Sequence, residues 1–495
     1  MAKLTQQELQ QIIQHNEGNL SLPGGNLSKL NLTGINLSHS DLTKANLKKI
    51  NLREANLSAV QLSRANLSQA YLEKAMMSQA ILAEANLRKS NLRGANLEGA
   101  ILCQSDLRDS TLRWAHLPEV DLSGANLSKA HLGKANLTKA KLCQAKLYSA
   151  NLSGAILDQA DLTEADLSRA NLTETMLIEV VLLRADLSGA DMSGANLSGA
   201  NLSQADLTRT IQVHTNLSRA NLNGATLRWA NLSRANLASA SLVAADVHEA
   251  NLHGAILAKA LLHQVNMTRA ILSGADLSQA DLRGAELGGA NFSGADLTEA
   301  KLDEAQLRGA VLVGVDMPQA SLRSASLIEA NLYQANLSQA YMPQVSLNEA
   351  SLIETDLHQA DLTAADLSWA NLFQANLTEA HLRQTNLTEA NLQQAKLCRA
   401  RLVEAVLVEA NLQEADLTEA ALYKADLRGA DLRGVKFQGV DLSSANLAEA
   451  MLANADLSQA TLIRTNLQAA KYNQQTCWPS GFDPARAGAI LQRDD

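Results

Sequence analysis

From Leu22 to Leu467 a large apolar residue, nearly always Leu, returns at every fifth position, which makes about 90 repeats. Two residues before it stands a small residue, usually Ala, and one residue before it stands Asn or Asp. Residues 185–207, ADLSGADMSGANLSGANLSQADL, show the pattern plainly. An α-helix advances about 100° per residue, so a five-residue step would scatter the leucines around its circumference. A continuous strand fails as well, because an odd step sends successive leucines to opposite faces. Within one repeat, however, the Leu and the Ala share a face of extended chain. All leucines stay inside only if the chain turns a corner once per repeat. The pattern predicts an all-β coil with short flat sides, wound around a core of Leu and Ala.

The polar positions fit such a coil. Asn and Asp accept corner conformations and bond to nearby backbone, and the Ser, Thr and Gly that follow the Leu are turn formers. The Ala site must be small where opposing walls come close. Its exceptions stay compact (Ser105, Thr175, Val265, Thr355), with larger residues only near the start (Leu30, Ile35, Ile50). Four repeats per coil would stack residues twenty apart. Among positions 41, 61, 81 and so on to 461, 14 of 22 lack the usual Asn or Asp, and Glu286, Gln306, Ser326 and Ser346 recur at the same step. One side therefore differs from the others, as a four-sided coil allows, and the chain would make about 22 coils.

Units such as ANLSQ, ADLTE and ANLRG resemble the pentapeptide repeat family over roughly nine-tenths of the chain. The resemblance implies a right-handed quadrilateral parallel β-helix, that is, a β-solenoid. Members mostly lack assigned functions, and a few act as DNA mimics that engage type II topoisomerases.

A solenoid has to close its two ends. Residues 1–21 read as an N-terminal capping helix and lead-in: Thr5 and Glu8 form a T-x-x-E capping box, Leu4 and Leu9 a hydrophobic staple, and Leu9, Ile12 and Ile13 one apolar side. Residues 22–470 form the repeat body, and residues 471–495 abandon the repeat. There Trp478 and Phe482 suit an irregular plug, which resembles the tail closing many cyanobacterial pentapeptide proteins. Inside the body the repeat is broken at Ile211, Gln212, Val213 and His214, where Gln212 takes a Leu position between two apolar residues. This predicts a bulge, or a notch beside a functional site.

Composition narrows the function classes. Hydrophobic residues make up 46% of the chain but aromatic ones only 3%, which argues against several globular domains. Residues 1–150 carry 18 Lys/Arg against 11 Asp/Glu, and the remainder is acidic within a total of −9. Drift at solvated positions is the plain reading of that asymmetry. The polar N-terminus and the lack of a long apolar run predict neither a secretory signal nor a membrane span, and the 4 spaced cysteines fit a reducing cytoplasm. The N-L-S/T sequons are a by-product of the repeat.

The 10 His are scattered, and no phosphate-cradling loop or nucleophile–His–carboxylate arrangement is visible. No catalytic site, metal or cofactor is expected. Trp114, Trp229 and Trp369 each follow a Leu by two residues and should face outward, as lone surface rings or as anchors for a partner. The leading expectation is a non-enzymatic binding or scaffold protein whose partners are other proteins, with no direct nucleic-acid binding. The alternative is an acidic DNA-mimic rod that engages a type II topoisomerase or another DNA-binding protein, which the basic first third opposes.

Overall fold

The computed structural model describes residues 6–15 and 19–492. The chain divides into two compact units, Met1–Asn251 and Leu252–Asp495. Each is built from one rung pattern: a residue bridges in parallel to the residue twenty positions on, as in Asp41 to Gln61 and Asn66 to Asn86 of the first unit and Asp276 to Asp296 of the second. Twenty residues therefore make one coil with four five-residue sides. Each side pairs at a single residue before the chain turns, so the parallel ladders are stacks of isolated bridges and not long strands.

The repeat around Leu42 shows why the coil holds. Asp41 N–H donates to Leu20 O of the coil before (2.8 Å), while Leu42 N–H and Lys44 N–H donate to Gln61 O (2.8 Å) and Ser63 O (2.9 Å) of the coil after. Ala45 N–H closes a β-turn on Leu42 O (3.0 Å). The fifth donor, Thr43 N–H, bonds to Asp41 Oδ1 (3.0 Å). All five backbone donors of the repeat are thus paired, and the residue before Leu is Asn or Asp because a short side-chain acceptor has to reach that fifth one. Where the acceptor is lacking, the preceding coil can supply it: Asp158 serves Ile178 N–H (2.9 Å), and Asp303 serves Arg323 N–H (2.9 Å).

The corner itself lies elsewhere than the sequence predicts. Asn and Asp stay in the bridged, extended part, and the sharp bend falls two residues after the Leu, where φ is positive: 58° at Lys44, 58° at Glu84, 59° at Glu329. This is the conformation that the third position of a type II turn demands, for which Gly is the usual residue. Here Lys, Glu, Gln and Arg fill most such positions despite a strain of about 1–2 kcal/mol. Hydrogen bonds to the next coil hold the bend, so the sequence need not mark it with Gly.

The core is uniform in both units. Leu42, Leu127, Leu337 and Leu402 are buried, as are Ser40, Ala125, Ala335 and Ala400 two positions before them and the two Phe that replace Leu, Phe292 and Phe437. Several polar exceptions at the Ala site hide their hydroxyls by donating to core carbonyls, Ser105 to Leu102 O (2.6 Å) and Thr355 to Leu332 O (2.8 Å), whereas Ser90 Oγ is left without a partner.

The expected break at Ile211–His214 is absent. Gln212 is fully buried like a Leu, Ile211 faces out at 43% exposure, Val213 is half-buried, and His214 is exposed on the corner. Ile211 bridges both Asp191 and Asn231, so the register does not slip. A bulge would have left those backbone groups unpaired. The coil instead accommodates the amide: Gln212 Nε2 donates to Thr210 Oγ1 (2.7 Å), which donates to Leu207 O (2.7 Å), while Gln212 Oε1 is left without a partner.

At the first end α1 (Gln6–His15) buries Leu9 and exposes Glu8. Leu4 and Thr5 lie outside the described residues. At the other end β1 (Lys471–Tyr472) pairs in parallel with β2 (Ile490–Leu491). The last rung, Asp456 to Cys477, spans one residue more than the rest. Around it Trp478 stacks on Phe482 (5.4 Å, 21°) and meets the edge of Tyr472 (5.4 Å, 90°).

Candidate docking faces

With the Leu and Ala indoors, three side chains per repeat remain outside: the Asn/Asp position and the two turn positions after Leu. The second turn position projects furthest from the backbone ladder. Residues there line up at steps of twenty as four ridges, one per corner, and all three outward tryptophans sit on ridges.

Their surroundings differ. Trp114 lies between two guanidiniums, with Arg93 at 4.5 Å and Arg113 at 4.7 Å from the ring centre, and is 44% exposed. Beside it opens a hollow of about 440 Å³ lined by Glu73, Lys74, Arg93, Gly94 and Trp114. Two coils before Arg93, Arg53 covers Tyr71 (5.0 Å) and pairs with Glu73. Among the described residues, Lys74, Arg93 and Arg113 have no carboxylate partner in this unit. The face combines a fixed aromatic anchor with spare cationic donors, the residue types that concentrate binding energy at interfaces.

Trp229 is tied down on both sides, by Arg209 (5.1 Å) over the ring and by Nε1–H donating to Glu249 Oε2 (2.8 Å). Trp369 is the most exposed of the three at 55%. Sequence reasoning found the tryptophans and missed the arginines. The twenty-residue step was the signal, because it sets Arg93 directly before Arg113 and next to Trp114.

Burial and a hydrogen bond to Asp161 push the Cys143 thiol up to about 11, and burial likewise raises Cys103 and Cys398, so these thiols are poor nucleophiles. His263 Nδ1 lies 3.3 Å from Asp281 Oδ2, with Arg283 on the same carboxylate. Among the described residues no group of three His, Cys, Asp or Glu is placed to hold a metal ion, and no helix is long and apolar enough to cross a membrane.

The profile of pentapeptide repeats matches the chain in a near-continuous series from residues 26–58 to residues 441–471. This chain belongs to the pentapeptide repeat family. Right-handed β-helices are the fold of that family. Similar solved structures include HetL, a pentapeptide repeat protein involved in heterocyst differentiation regulation in the cyanobacterium Nostoc sp. strain PCC 7120. It is 35% identical over 47% of this chain and 90% of its own, with a TM-score of 0.23. The pentapeptide repeat protein Rfr23 of the cyanobacterium Cyanothece 51142 is 36% identical over 24% of this chain and 63% of its own (TM-score 0.13). QnrB1, a plasmid-mediated fluoroquinolone resistance protein, is 18% identical over 37% of this chain and 89% of its own (TM-score 0.28). Among curated proteins none matches this chain.

Proposed function

We propose that this pentapeptide repeat protein is a non-enzymatic cytoplasmic scaffold. In this reading it is a right-handed, four-sided β-helix of about 22 coils, closed by α1 and by residues 471–495, and its ridges dock other proteins. One observation carries the reading: the repeat satisfies its backbone and core internally, so the strained corner positions are free to hold Lys, Arg, Glu and Trp. Gly would relieve that strain, yet side chains are kept there. Trp114 between Arg93 and Arg113 is the best-formed anchor among them.

The test is affinity capture from extracts of the source cells, with the wild-type chain and Trp114→Ala side by side. A partner retained by the wild type and lost at least about tenfold by the variant supports the reading. No partner at any salt concentration overturns it.

A second reading, mimicry of a DNA duplex toward a type II topoisomerase, is favoured by one specific feature, the run of unpaired glutamates on a ridge of the second unit (Glu349, Glu389, Glu409 and Glu449). The basic residues 1–150 oppose it. A gyrase supercoiling assay decides, since a lack of inhibition at excess protein removes it.

A further inference from the structure

The four ridges differ in how charge is ordered along them. On two of them, opposite signs meet in successive coils and neutralise each other: Arg64 with Glu84 (2.9 Å) and Arg184 with Glu164 (3.0 Å) on one, and Arg399 with Glu379 (3.2 Å) on the second. The ridge at positions 29, 49, 69 and onward is different. In the first unit it presents Lys29, Lys49, Lys89, Lys129, Arg169 and Arg209 against two carboxylates, Asp109, which Arg88 neutralises (3.5 Å), and Glu249, which accepts from Trp229 Nε1–H (2.8 Å). Lys48 and Arg88 on the neighbouring column add to the same sign, around a polar hollow of about 270 Å³.

In the second unit the same step of twenty presents Arg269 and then Glu329, Glu349, Glu389, Glu409 and Glu449, with Trp369 among the glutamates. Arg308 pairs with Glu329 (2.6 Å). The four remaining glutamates and the four lysines are exposed, and among the described residues none of them forms an ion pair within its unit.

Stacking like charge on like charge in adjacent coils is unfavourable. Two other ridges show that this backbone readily places opposite signs there. Among these lysines and remaining glutamates, like charges stand in adjacent coils at Lys29 and Lys49 and at Glu389 and Glu409, and otherwise two coils apart. Each unit therefore keeps a repulsion that a partner of opposite charge would relieve, and this chain supplies both signs at multiples of the coil step of about 4.8 Å. We propose that a second copy of this chain is that partner: the lysine ridge of the first unit in one copy docks against the glutamate ridge of the second unit in another. The coil repeat sets the register. Trp369 lies among the glutamates where the aliphatic stems of the opposing lysines would cover its ring.

Exposed ion pairs are individually weak and strongly screened, so the association is salt-dependent. Sedimentation equilibrium of the full chain should give a mass of at least twice the chain at about 0.01 M salt, where the screening length is roughly 30 Å, and the single-chain mass at about 1 M, where it is ~3 Å. One variant carries Lys29→Glu, Lys49→Glu, Lys89→Glu and Lys129→Glu. A second carries Glu349→Lys, Glu389→Lys, Glu409→Lys and Glu449→Lys. Each alone should raise the dissociation constant at least about 100-fold, and an equal mixture of the two should associate again.

Should a reversal impair folding by circular dichroism, the matching Gln substitutions serve in its place, with weakened association expected. A single-chain mass at every salt concentration, association indifferent to salt, or a mixture that stays unassociated would overturn the proposal. None of these results bears on Trp114, which lies on another ridge, so this inference and the partner reading fail separately.

Discussion

The first and second units share one interior and differ in their exteriors. Leu127 and Leu337 occupy the same buried place, and each repeat ties its backbone to its neighbours in the same way. Yet the corner position that holds Lys89 and Lys129 in one unit holds Glu389 and Glu409 in the other. A backbone satisfied mainly by its own ladder places little demand on what projects from the corners. Outward identity is therefore where this chain carries information.

That comparison can be broken from the inside first. Leu127→Ala and Leu337→Ala should each cost about 2–5 kcal/mol in urea unfolding, and by similar amounts. A difference of several kcal/mol between them would mean that the interiors are not alike. Next comes Asp281 of the second unit, whose pKa is held at about 2, chiefly by hydrogen bonds from Arg283 against an opposing effect of burial. A carboxylate with a depressed folded-state pKa stabilises fully above its unfolded value near 4, and the contribution disappears as pH falls through the folded value. Unfolding followed from pH 5 to pH 2 should show a loss on the order of 2 kcal/mol that Asp281→Asn lacks.

Gln212 of the first unit gives a smaller effect of opposite sign. Replacing its half-satisfied buried amide by the residue that the repeat calls for, Gln212→Leu, should raise stability by about 1–2 kcal/mol in the same assay. The smallest change is Asn196→Ala, which removes the acceptor of Ser198 N–H and should cost about 1 kcal/mol.

Much of the coil was legible because it is written about ninety times. The five-residue step fixes which side chains are buried, and the uneven Asn/Asp usage at steps of twenty points to four sides, which the bridges between residues twenty apart match. Single-residue inferences fared worse. Gln212 looked like a break because its neighbours are apolar, but the bonds of Ile211 to both adjoining coils outweigh the preference of one side chain. The corner was misplaced for a related reason. Positive φ at Lys44 or Glu84 is imposed by bonding between coils and has no signature in residue type. Charge segregation was visible as a basic first third, but only the assignment of residues to ridges shows that it concentrates on one of the four. The Arg93–Trp114–Arg113 arrangement was hidden by a contact that spans twenty residues.

Disulfide trapping tests the coil itself most directly. Ser58 Oγ and Ser78 Oγ, one turn apart in sequence step, lie 3.4 Å from each other on the surface of the first unit. In a chain whose four native cysteines are replaced by Ser, the pair Ser58→Cys and Ser78→Cys should oxidise readily to a disulfide. The pair Ser58→Cys and Ser68→Cys, ten residues apart and on opposite sides of the coil, should remain reduced. Equal cross-linking of both pairs, or of the second alone, would contradict a coil of twenty residues.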